Sequence, residues 1–137
     1  MVMIKRLEIS WGWRLPCAVL GAMLLWAAVM QSNDPDPLLW IAVYGLHGAI
    51  GLCAAVGWVA PWPALIASLL TLLWAATLWP AVVVLLFEHD PEQLLSGMSP
   101  DRPYVEEARE ALGLTLAFLA SAYTVAISFL VRPAVHH

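Results

Sequence analysis

The sequence predicts an all-α, polytopic membrane protein: four transmembrane helices in an up-down bundle, with both termini cytoplasmic. Three observations predict it. Of 137 residues, 62% are hydrophobic and only 12% charged, against about 45–50% apolar and about 25% charged in soluble domains. The charged side chains gather near the N-terminus, within residues 88–110, and at Asp34, Asp36 and Arg132. The neutral runs between them form four segments, each close to the roughly 20 helical residues that cross a hydrocarbon core of about 30 Å. A net charge of −4 with only six Lys and Arg provides no clustered basic surface for phosphate, so nucleic acid is excluded as a partner. The length fits a single membrane domain over residues 1–137, with membrane lipids as its constant surroundings.

The first span, residues 13–30, has its apolar stretch at Leu15–Met30 and reaches full length if Trp11 and Trp13 lie at the interface while Arg14 snorkels outward. Lys5 and Arg6 before an apolar run also fit a cleaved signal peptide. The following Gln31-Ser32-Asn33-Asp34-Pro35 lacks a small-x-small cleavage pattern and two Trp precede the run, so the segment is expected to be retained. Two Asp-Pro steps then break the helix, because each proline bars the residue before it from helical geometry. Asp36 suits the N-cap of span two and Pro37 its first position, while Asn33 and Asp34 suit an Asx-turn. Span two covers 37–59, a Pro61-Trp62-Pro63 turn follows, and span three covers 64–87. Pro80 should kink span three and free the Ala76 carbonyl, opening a small vestibule. An acidic loop, 88–110, leads to span four at 111–131. Links this short force antiparallel neighbours, and no β-structure is expected.

Orientation follows from Lys and Arg in the short flanks. Lys5, Arg6 and Arg14 precede span one and Arg132 follows span four, the 33–36 link has neither residue type, and the 88–110 loop holds Arg102 and Arg109 among seven acids. The termini are therefore read as cytoplasmic and both acidic links as outer, in a multi-pass protein of the plasma (bacterial inner) membrane.

Gly45, Gly48 and Gly51, with Ala49 and Gly57, present small side chains on span two and read as a seam for close helix approach. Among the eight Trp, Trp11, Trp13, Trp58 and Trp62 suit an inner aromatic belt and Trp40 and Trp79 an outer one, with Trp26 and Trp74 deeper. Cys17 and Cys53 read as apolar thiols within spans, with neither disulfide framework nor zinc spacing. The terminal His136-His137 is a weak signal for a metal tail.

His47 lies ten residues beyond Pro37, about 15 Å along a helix and hence near the midplane. An ionisable residue there should face the bundle interior with a partner, and it raises a site hypothesis. Tyr44 and Trp40 continue its stripe, and Ser68, Thr71, Thr77, Thr115, Ser121 and Thr124 are candidate partners. The plain reading is a structural hydrogen bond. Proton relay lacks a further mid-membrane acid or Lys, haem ligation lacks a second His, and no cofactor is expected.

At the outer face, Asn33, Asp34 and Asp36 are oxygen donors, too few alone for the six to eight that Ca²⁺ takes. Asp34, Asp36, Glu88 and Asp90 are therefore weak metal candidates. Glu106 and Glu110 lie one helical turn apart, and Arg109 can pair with either of them or with Asp34 or Asp36. An acidic first turn is also what a helix N-terminus prefers. Arg109 is expected to be the hub of this outer site.

The run Gln31-Ser32-Asn33-Asp34-Pro35-Asp36-Pro37-Leu38-Leu39-Trp40, followed by Tyr44-Gly45, resembles the signature of the transmembrane protein 220 family, as does Glu106 with Arg109-Glu110 and Gly113-Leu114. Ser32 stands where that pattern has Tyr. The resemblance implies a small four-helix integral membrane protein and points to no particular reaction. Without a nucleophile-and-base set, a His-rich metal spacing or a phosphate loop, the chain is not expected to be an enzyme. An accessory subunit or assembly factor of a membrane complex is the leading reading, with other proteins or a second copy as partners. The alternative is binding or transport of a cation or small polar ligand at the outer acidic site.

Overall fold

The computed structural model describes residues 4–8, 10–34, 36–97 and 99–131, with the Asn33 side chain also set aside. Pro35, Arg132, His136 and His137 lie outside them. Four helices are long and apolar enough to cross a membrane: α1 (Trp11–Met30), α2 (Pro37–Ala55), α3 (Pro61–Glu88) and α4 (Pro103–Leu130). The all-α, four-span architecture is thus the one the composition predicts. Two short 3-10 helices, Gln31–Asn33 and Pro91–Leu95, lie in the first and third links.

The second link departs from expectation. Strands β1 (Lys5–Arg6) and β2 (Trp58–Val59) form a two-residue antiparallel ladder, Lys5 opposite Val59 and Arg6 opposite Trp58. Helix α2 ends at Ala55, and Gly57 adopts φ 93, a left-handed turn open to a residue with no Cβ. That turn exposes backbone groups, and the N-terminal segment takes them: Leu7 N–H donates to the Gly57 carbonyl at 2.9 Å. Gly57 therefore makes a turn rather than part of a packing face. Pro61-Trp62-Pro63 is not the turn but the first turn of α3, where a missing N–H costs nothing. Helix α3 also continues through Pro80 to Glu88.

Helix α4 begins at Pro103, two turns before the apolar run. Hydropathy marks only the part that sits in lipid. The charged segment is still helical because Val105, Ala108 and Ala111 form one buried stripe. Twenty-eight residues span about 42 Å, so the first turns extend beyond a core of about 30 Å.

The chain divides into two compact units, Met1–Ser68 with Ala117–His137, and Leu69–Leu116. In the first, α1 and α2 run antiparallel at backbone-contact distance. A Cβ added to Gly21 would lie 2.9 Å from the Leu52 backbone nitrogen, and one added to Gly51 would lie 3.1 Å from the Cys17 carbonyl oxygen. A Cβ on Gly48 would meet Leu25 at 2.8 Å. Gly45 has nothing within 4 Å of that position, because a three-residue step rotates a helix face by about 60° and Gly45 cannot share the contact with Gly51. Leu7, Cys17, Ala54, Val59 and Ile127 complete this unit's core, with Trp13 against Tyr123 at 6.1 Å between ring centroids. In the second unit, Ala81, Val82 and Leu85 of α3 pack on Val105, Ala108 and Ala111 of α4, and the Trp79 indole N–H donates to the Thr115 hydroxyl at 3.1 Å.

Candidate functional site

Within the first unit, α2 turns Trp40, Tyr44 and His47 to one buried face, spaced four and three residues apart. Trp40 is buried rather than part of an interfacial belt, and its ring stacks on Tyr44 with centroids 5.7 Å apart. The ring nitrogen Nδ1 of His47 lies 2.5 Å from Oγ of Ser121 on α4. Ser121 is one of the partners the sequence offers, and the pairing ties α2 to α4 at membrane depth. A serine beside a histidine also has the form of a nucleophile and its base. Here His47 is 1% and Ser121 0% exposed, so the pair is buried between α2 and α4. One turn on, the Thr124 hydroxyl donates to the Ala120 carbonyl at 3.2 Å, and Ser128 donates to Val125 at 2.7 Å. Both hydroxyls donate within their own helix.

Two of the acidic residues accept nearby backbone N–H groups. Asp34 Oδ1 accepts the Asp36 N–H at 3.3 Å, the Asx-turn that the sequence suggests. Asp36 itself makes no side-chain cap: its ψ of 59 departs from the extended value from which a capping carboxylate reaches the N3 amide. Its carbonyl accepts the Leu39 N–H instead, at 3.2 Å. In the second unit, Asp90 caps the 3-10 helix by accepting the Glu92 N–H at 3.0 Å, while Glu88 is exposed.

Arg109 is a hub, although chiefly for carbonyls. Its Nε donates to Leu94 O at 2.9 Å and a terminal nitrogen donates to Ser96 O, whereas the Glu106 carboxylate lies 3.4 Å away. The guanidinium fork thus ties the end of the 3-10 helix to α4. Beside it, the Tyr104 hydroxyl donates to Gln93 Oε1 at 2.9 Å and the Tyr104 ring stacks on His89 at 4.3 Å. Glu110 is half-buried on the same helix. Asp34 and Asp36 belong to the first unit, and Glu88, Asp90, Glu106, Arg109 and Glu110 to the second. No group of three His, Cys, Asp or Glu that could hold a metal ion occurs among the described residues.

Sequence reasoning misses Gly21, because its role exists only opposite Gly48 and Gly51, and it misses the loop carbonyls held by Arg109, because backbone acceptors carry no residue signature.

No curated protein and no solved structure matches the chain. A family model described as transmembrane family 220, helix, matches residues 23–126. That stretch runs from within α1 to near the end of α4 and contains the α1–α2 link, the buried His47 stripe and the Arg109 loop clasp. On this match the chain belongs to transmembrane family 220.

Proposed function

We propose that the chain is an accessory subunit or assembly factor of a larger membrane complex, contacting partner helices through one face of α1. The observation that carries this reading is the two-sidedness of that helix. Cys17, Gly21, Leu24 and Ala28 are its buried stripe. On the opposite side Leu15, Val19, Met23, Trp26 and Met30 are 48–68% exposed, at spacings of four, four, three and four residues that keep them within one narrow band. Only 22% of the apolar window of α1 is buried, against 39% for α4. A ridge with Met and Trp at its centre has the composition of a protein contact, where adaptable and aromatic side chains concentrate. The His47–Ser121 contact supports the same reading from the other direction, since it joins two of the chain's own helices.

The competing reading, a cation or small polar ligand at the acidic links, has fewer free oxygens to draw on, since Asp34 and Asp90 already accept backbone N–H groups. The discriminating experiment is purification from native membranes in mild detergent, with mass spectrometry of co-purifying chains. A partner present at fixed ratio and lost with Val19→Trp or Trp26→Ala, while the chain stays folded, is the expected result. Isolation of the chain alone, or a partner indifferent to both changes, contradicts it.

A further inference from the structure

A pocket of about 210 Å³ opens in the first unit where the end of α2 meets the β1–β2 ladder. Its walls include Ile4, Leu46, Ile50, Cys53, Trp58 and Pro63. Thr124 also lines it, with its hydroxyl turned to the Ala120 carbonyl, and no carboxylate lines the wall among the described residues. Cys53 is two residues from the end of α2 and Leu46 nine, so the pocket descends about 13 Å from the helix end toward the membrane middle.

The mouth carries a guanidinium. Ile4 and Arg6 are two residues apart on one strand-like segment and so share a face, and the Arg6 guanidinium sits 5.8 Å from the ring centroid of Trp58, itself part of the wall. Arg6 is exposed and makes no ion pair among the described residues. Lys5, between Ile4 and Arg6, faces the other side of the strand, and the exposed Glu8 follows two residues after Arg6.

The geometry points to an anionic phospholipid site: one acyl chain in the pocket, and the headgroup phosphate on Arg6 at its mouth. An apolar shaft beneath a cation and an interfacial Trp matches the order of groups in such a lipid, from tail to carbonyl region to phosphate. A guanidinium also offers phosphate a two-pronged donor.

The test uses the full chain in detergent with equal amounts of phosphatidylglycerol and phosphatidylcholine of identical acyl chains, and native mass spectrometry to count retained lipid. One phosphatidylglycerol should be retained in preference. Arg6→Gln should reduce that preference roughly fivefold, about the contribution of one basic residue near an anionic lipid. Arg6→Lys should keep most of it, and Arg102→Gln, a cation in a different loop, should leave it unchanged. Ala49→Trp, which sets an indole on the pocket wall, should abolish retention. Independently of how that variant folds, phosphatidylglycerol should slow alkylation of Cys53 by N-ethylmaleimide in the unaltered chain more than phosphatidylcholine does. Equal retention of the two lipids, indifference to Arg6→Gln, or a Cys53 rate independent of lipid headgroup each overturns the proposal. Retention that survives Ala49→Trp does so as well.

Discussion

His47 and Ser121 show how far single residues can be read from a sequence. Counting from Pro37 placed the histidine at mid-membrane and required an interior partner, and the 2.5 Å contact to Ser121 meets that requirement. Which of six hydroxyls it meets was not legible, because that depends on the rotation of α4 against α2. His47→Ala should leave the Ser121 hydroxyl without its partner and cost roughly 1–3 kcal/mol. Thermal unfolding in detergent checks this, and His47→Ala combined with Ser121→Ala should cost less than the sum of the two. Strict additivity would show that the pair is not coupled. The glycines give a sharper contrast on the same assay. Gly21→Ala drives a methyl against the Leu52 backbone nitrogen and should destabilise by about 1–3 kcal/mol. Gly45→Ala meets open space and should be neutral or stabilising by up to about 1 kcal/mol. Equal effects at the two positions contradict the assignment of the seam.

Among the elements, the helices were legible and their ends were not. Composition locates only the lipid-embedded part of a helix, so it marks α4 from Ala111 although the helix starts at Pro103. The extra turns are amphipathic and belong to the water-facing side of the membrane boundary. The β1–β2 ladder escaped for a related reason: two residues carry no periodicity, and the ladder depends on the Gly57 turn. Arg109 was legible as a hub because its planar fork at the membrane boundary demands acceptors, but the carboxylates were the visible candidates and the loop carbonyls the larger part of the answer. Arg109→Lys should therefore resemble Arg109→Ala, since an ammonium group cannot reproduce the fork. Both should increase proteolytic cutting within residues 89–102, with the transmembrane helices intact. Lysine behaving like the original arginine would refute the clasp.

At the level of the whole molecule, four crossings with both ends on one side remain the simplest reading of the Lys and Arg distribution. In a chain with Cys17 and Cys53 replaced, cysteine at Ser32 or Ser96 should react with an impermeant thiol reagent added outside, and cysteine at Trp62 should not. Labelling of Trp62→Cys alone reverses the orientation. The same orientation gives the α1 ridge a defined direction in the membrane, from Leu15 near the cytoplasmic side to Met30 at the far side, along which a partner helix can lie. The most direct test of the accessory role is photo-crosslinking in native membranes from a photoreactive residue at Val19, Met23 or Trp26, with Leu73, an exposed residue on α3, as reference. The account predicts the same protein adduct of one defined mass from all three α1 positions and none from Leu73. Only lipid adducts from α1, or the same pattern from Leu73, would contradict it.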